Sequence, residues 1–461
     1  MKMRLPSQLA LVIIGMGLMW QPAQAQTFSV LYNFGTNSGD PLNPGETGAI
    51  AQGRDGNLYS TAPNGGAHGY GAVFKITPSG KLTVLYNFDG PHGQAPLGGL
   101  TLGTDGNFYG TTWYGGATGN GTVFKITPTG QLTVLYSFTG GSDGFQPYAP
   151  PIEGSDGNFY GTAGFGGAGW GTVYKLTPSG KFTTLHAFSS GDGSSPIAPL
   201  VQGINGSFYG TAEIGGSVND GVLFTVKSSG NLAVIASFDG AGNGANPYSP
   251  VIQASDGNFY GTASTWGSFE WGTIYKTTAK GDLTVLYNFN GSSDGGDPLA
   301  GLMQGTDGKF YGAATGDFFT NDYGTVFSIT PSGAFSVLHS FDGSHGANPC
   351  VTPVQHTSGI LYGDTVNGGT ASSGTFYSLR VGLKPFVSLL PYSGKVGKTI
   401  EFLGQGFTGT TAVSFNGTAA SFIVKSSTYL TAIVPTGATT GFVTVTTPKG
   451  KLKSNKKFRV L

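Results

Sequence analysis

LGGLTLGTDGNFYGTTWYGGATGNGTVFKITPTGQLTVLYSF, residues 97–138, decides the fold. Apolar and aromatic runs alternate in it with clusters of Gly, Asn, Asp, Pro and Thr, the pattern of short strands joined by turns. The spacing predicts four antiparallel strands, A to D, at about 99–103, 107–113, 122–127 and 131–138. The A–B link carries Asp105-Gly106, a pair that suits a tight turn. The C–D link has Pro128 and Gly130 where a β-turn wants them. The B–C and D–A links are longer and rich in Gly, Asn and Asp.

This unit returns with a period of about 51 residues. Its Asp-Gly turn and following Tyr recur at Asp55/Tyr59, Asp105/Tyr109, Asp156/Tyr160, Asp256/Tyr260 and Asp307/Tyr311, with diverged copies at Asn205/Tyr209 and Ser358/Tyr362. Seven copies of four strands predict a seven-bladed β-propeller and an all-β chain. The chain ends weigh against a linear solenoid. Strand-D text occurs seven times, ending at Phe34, Phe88, Phe138, Phe188, Phe238, Phe289 and Phe341. The first of these precedes any A–B–C set, and the last A–B–C set, 351–381, has no D after it. Pairing the orphan N-terminal strand with that set closes the ring and leaves no incomplete last blade exposing an unpaired edge. The Asp of each turn recurs at equivalent ring positions and reads as a turn-former. His186 and His339 stand where other D strands have Tyr and read as packing variants.

The DGNFYGT…GTVFKITPSG…LTVLYSF core resembles the GloVer repeat, a tandem-repeat family of secreted bacterial proteins, over roughly residues 27–380. That resemblance supports the architecture. It brings no catalytic residues with it.

Composition agrees with many tight turns between aromatic strands: 81 Gly in 461 residues, 13% aromatic and only 10% charged. Aromatics at that level exclude ordinary disorder, and the lack of a G-X-Y period excludes collagen. Lys2 and Arg4, the apolar run 9–20 and Ala23-Gln24-Ala25 read as an export signal cleaved near Ala25. The run is shorter than a spanning helix needs, so no membrane span is expected. The mature chain is placed outside the cytoplasm, periplasmic or secreted. Cys350 is the sole cysteine, which rules out an internal disulfide, and it reads as a small buried apolar residue.

The repeat period stops at Lys384. Residues 384–461 alternate short strands with Gly, Pro and Thr turns and predict an immunoglobulin-like β-sandwich. Pro391, Gly394, Gly397, Gly404-Gln405-Gly406-Phe407, Val413 to Gly417, Val434-Pro435 and Gly441 to Val445 resemble the IPT/TIG fold. The expected organisation is a signal over 1–25, a propeller over 26–383 and the sandwich over 384–461. Charge changes sign at that boundary. Residues 26–383 hold 11 Lys/Arg and 22 Asp/Glu, whereas 384–461 hold 10 Lys/Arg and one acid, Glu401. The basic tail Lys449, Lys451, Lys453, Lys456, Lys457 and Arg459 fits attachment to an anionic polymer or to the acidic propeller, or else a solvated face. An exported chain without a recognition helix is not expected to bind nucleic acid.

No H-E-x-x-H, C-x-x-C, P-loop or EF-hand run is present, so no cofactor or metal is expected. Strand alternation puts the B–C and D–A loops on one face of the ring. All four mature Trp lie in or beside B–C loops, and the candidate ligand-binding residues are Trp113, Tyr114, Trp170, Trp266, Trp271, Phe318 and Tyr323. Flat rings beside hydroxyl-bonding Asp, Asn and Glu suit sugars. Packing of blade ends is the other account of them. Glu213, Glu270 and Asp317 are nonrepeated carboxylates on consecutive blades and the only candidates for glycosidase-type catalysis. Three readings follow: a secreted noncatalytic binding protein for polysaccharide or a cell-surface partner, a polysaccharide-active hydrolase or lyase, and a structural or adhesive envelope protein.

Overall fold

The computed structural model describes residues 26–45, 49–317 and 322–461. The export signal and Phe318 therefore lie outside the described residues. No helix occurs among them, so none is long and apolar enough to cross a membrane.

Seven four-stranded antiparallel sheets carry the repeat. We number the blades by their A–B turns, from Asp55 (blade 1) to Ser358 (blade 7). In blade 2 the strands are Thr101–Leu102, Phe108–Thr112, Thr122–Ile126 and Leu132–Ser137. Strand A is shorter than its sequence suggests, two residues in every blade. The backbone before it runs too close to its neighbour to extend the ladder. Gly99 has φ +68°, and a Cβ there would lie 2.1 Å from the Ala49 carbonyl of blade 1.

The orphan strand closes the ring. Thr27–Asn33 pairs antiparallel with Thr375–Arg380 of blade 7, from Thr27↔Arg380 to Asn33↔Thr375. Each neighbouring pair of blades encloses its own apolar cluster, and seven clusters run around the circle. The seventh joins Phe34, Val351 and Phe376 of blade 7 to Leu58 and Phe74 of blade 1. Phe28 stacks on His339 at 3.6 Å. His186 bonds Asp192 at 2.9 Å, as Tyr136 bonds Asp143. Cys350 is buried.

A second device links blades near the axis. The last residue of strand A reaches back to the A–B turn of the preceding blade. Gln202 accepts from the Ser155 N–H, Gln253 from Ile204, Gln304 from Ser255, Gln355 from Thr306 and Gln52 from Thr357, all within 3.0 Å. Glu153 does the same for Thr104 at 2.7 Å. Each such bond contributes about 1 kcal/mol. Only the blade 1–2 link is missing, because blade 2 has Leu102 at that position.

Arg54 stands at the gap. It donates to the Thr104 carbonyl of blade 2 and forms an ion pair with Glu401 of the C-terminal region, with an Nε–Oε2 distance of 2.9 Å. That region is a sandwich of two four-stranded sheets, 388–433 and 412–453, around Phe402, Phe415, Val445 and Phe458. It rests on the A–B turn face. Thr428 donates to the Arg54 carbonyl, Gln405 to Thr357 of blade 7, and Arg459 to the Ile204 carbonyl of blade 4. Burial raises the Glu401 carboxyl against the pull of Arg54.

Candidate functional site

The opposite face is made of the B–C and D–A loops. A left-handed residue before a proline organises it in every blade: Asn43, Ala95, Gln146, Ser195, Asn246, Asp297 and Asn348 have φ between 48 and 56°. The N–H of each bonds the carbonyl of the residue that ends the preceding blade's B–C loop, as Ala95 does to Tyr70 and Asp297 to Trp271. That loop-ending residue is aromatic in four blades: Tyr70, Trp170, Trp271 and Tyr323.

The candidate rings divide into two groups. Trp113 leans on Tyr114 at 4.3 Å and Tyr148 at 5.4 Å, and its indole nitrogen is buried without a hydrogen-bond partner among the described residues. Trp271 packs on the blade 5–6 core, against Gly291 and Gly296. These two serve packing. Trp170, Trp266 and Phe269 stand out from the face, 42, 50 and 58% exposed, and Tyr114 is 37% exposed. Tyr323 lies against Gly343.

Trp266 is unlike its counterparts. Blades 1, 2, 3, 4 and 7 place Gly65, Gly115, Gly166, Gly215 and Gly368 at this position, all with φ between 71 and 88°. Trp266 keeps the same left-handed backbone at φ 62°, and Glu270 in the same loop has φ 68°. A bulky residue there carries strain on the order of 1–3 kcal/mol. Strain that the packing does not require marks a place worth testing for function.

The carboxylates are spread over three blades. Glu213 follows strand B of blade 4, where burial raises its carboxyl. Glu270 sits in the B–C loop of blade 5, and Asp317 follows strand B of blade 6. Asp297 interacts with Asp317 across the blade 5–6 junction. Burial and then the charge of Asp317 push Asp297 up to about 6. The sequence reading passed over Asp297, although its place before a Pro that recurs in every D–A loop could have drawn notice. Beyond Asp317, a crevice of about 490 Å³ opens between blades 6 and 7, lined by Asp317, Asp322, Tyr323, Asn348, Asn367 and Ser372.

His92 and His345 each bond their own loop's carboxylate, Asp89 and Asp342, at 2.7 Å. Among the described residues no group of three His, Cys, Asp or Glu could hold a metal ion. Among the described residues, the loops of this face contain no Lys or Arg, but they hold thirteen of the twenty-one propeller carboxylates.

A family model described as the Gloeobacter/Verrucomicrobia repeat matches residues 15–211 and 198–422. The IPT/TIG domain model matches residues 386–460. No curated protein matches the chain. Among solved structures, a lectin from Burkholderia pseudomallei aligns with TM-score 0.53 at 10% identity, over 74% of this chain and 98% of the lectin. The extracellular domain of a B. thetaiotaomicron protein described as a hybrid two component system aligns with TM-score 0.50 at 10% identity, over 95% of this chain. This chain spans 60% of that extracellular domain. A Bacteroides uniformis protein described as a 6-phosphogluconolactonase aligns with TM-score 0.46 at 15% identity, over 67% of this chain and 88% of its own. At these identities the likeness concerns the fold alone.

Proposed function

The chain belongs to the Gloeobacter/Verrucomicrobia repeat family, and on that footing we propose that it is a secreted, noncatalytic surface-interaction protein that recognises polysaccharide through its loop face. The observation that carries this reading is Trp266, half exposed on a left-handed backbone that five other blades give to glycine. The neighbouring Phe269, the crevice amides Asn348 and Asn367, and the lectin of similar fold support it. Stacking at ~1 kcal/mol per ring gives ~3 kcal/mol for three rings, short of the ~4 kcal/mol of a millimolar complex. Hydrogen bonds from the crevice or repeated contacts along a polymer make up the difference.

The test is retention on insoluble polysaccharides and a glycan array, read together with Trp fluorescence. The mature chain is expected to be retained with a spectral shift, and Trp266→Gly to lose both. Equal retention by Trp266→Gly removes this site. A hydrolytic reading has one observation in its favour, Asp297 held at about 6 beside Asp317, as an acid–base pair requires. Release of reducing ends that disappears in Asp297→Asn would establish it.

A further inference from the structure

The loop face is acidic, and the C-terminal sandwich is its opposite. Its single carboxylate, Glu401, is already engaged by Arg54, and residues 402–461 contain no other acid. Lys449, Lys451, Lys453 and Lys457 are exposed, and Lys456 is exposed as a residue while burial of its ammonium lowers its pKa. Lys451 and Lys453 belong to Gly450–Lys453, the outer strand of its sheet. Residues two apart on a strand point the same way, about 7 Å from one another. Lys449 precedes this strand, and Lys456 and Lys457 follow it closely in the chain. Lys453 lies 3.7 Å from the Phe442 ring centroid and Lys456 5.4 Å from that of Tyr392, which fixes two of the ammonium groups.

Lysines on an outer strand can simply block edge pairing. That role does not call for Lys456 and Lys457, which lie beyond the strand, nor for the loss of every countercharge. A surface built for solubility interleaves both signs. We propose that this row is a binding surface for an anionic polysaccharide, one carrying sulfate or carboxylate groups along its length. The sandwich would hold the polymer while the acidic loop face, which repels it, points away. One chain can then engage an anionic matrix at one end and a neutral glycan at the other.

The probe is heparin agarose, with polygalacturonate as the carboxylate arm and uncharged dextran as control. The full mature chain is expected to bind both anionic polymers in a salt-sensitive way and to ignore dextran. Lys449→Ser/Lys451→Ser/Lys457→Ser, which spares both ring-stacked lysines, should bind at least tenfold more weakly at low salt with unchanged thermal unfolding. The same three positions changed to Arg should restore binding. No retention of the parent chain, or equal retention of the Ser variant, overturns the proposal. So does salt-sensitive self-association that the Ser variant abolishes, because the row would then face another copy's loop face. Binding to neutral glycans is unaffected by these substitutions, so its failure is read separately.

Discussion

The two faces of the ring come from one repeat and differ in almost every other respect. On the turn face the same Asp-Gly turn bonds its Tyr in blade after blade, 2.8–2.9 Å from Tyr59, Tyr109, Tyr160, Tyr260 and Tyr311. Six of seven inner links reuse one bond, and all propeller cations lie on this side or on the strands. On the loop face the backbone frame is constant, but the residues it displays change from blade to blade. The reason is mechanical. The inner turns must each meet a neighbour in a fixed register, whereas the exposed side chains at a loop tip carry no such constraint. The exception sharpens the point: where the inner link is missing, at Leu102, the Arg54 side chain instead bridges blade 2 and the sandwich.

The largest test of this contrast removes the closure. Deleting residues 26–34 takes away Phe34, buried in one cluster beside the seam, and Phe28, half-buried against the other. At ~3–5 kcal/mol for the buried Phe34, with the lost strand pairing and Phe28 contacts added, the loss approaches the ~5–15 kcal/mol stability of a typical domain. Cooperative thermal unfolding should disappear. A transition that survives would mean that the seam is not what holds the ring.

The next concerns Asp364. It occupies the place of Thr61, Thr111, Thr162, Thr211 and Thr262, whose hydroxyls donate to the next blade's backbone, as Thr61 does to Pro96. Its carboxylate is fully buried without a hydrogen-bond partner among the described residues, and burial raises it to about 7. A carboxyl raised above its unfolded value weakens the fold as pH climbs from about 4 to 7. Asp364→Thr should therefore stabilise the protein by up to about 4 kcal/mol at pH 8. The gain should fade below pH ~4, as denaturant melts at the two pH values would show.

Arg54→Ala leaves Glu401 half-buried without its cation. Charge-assisted bonds of this kind contribute ~1.5–3 kcal/mol when buried. Partial exposure of Arg54 lowers the expected loss to ~1–2 kcal/mol. Faster proteolysis between the propeller and the sandwich, with propeller melting unchanged, would show that the pair anchors one to the other.

The smallest effect on stability is the most telling for the loop face. Trp266→Gly relieves a left-handed side chain and should leave the stability equal or raised, by ~1 kcal/mol or less once the added freedom of unfolded Gly is counted. A marked destabilisation would make Trp266 a packing residue and unseat it as a ligand contact.

The repeat period, the orphan strand and the switch of charge at Lys384 determined the ring, its seam and the appended sandwich from sequence alone, because turn chemistry and strand alternation are local and recur seven times. The candidate rings were also visible there, since Trp in a Gly-rich loop breaks a pattern. Sequence could not separate Trp271, pressed against Gly291 and Gly296, from Trp266, which stands free. It could not pair Asp297 with Asp317, or send Arg54 to Glu401 across 347 residues. Those outcomes depend on which backbones approach one another across blades and on which side chain is left exposed there. Distances of that kind exist only once the ring is closed.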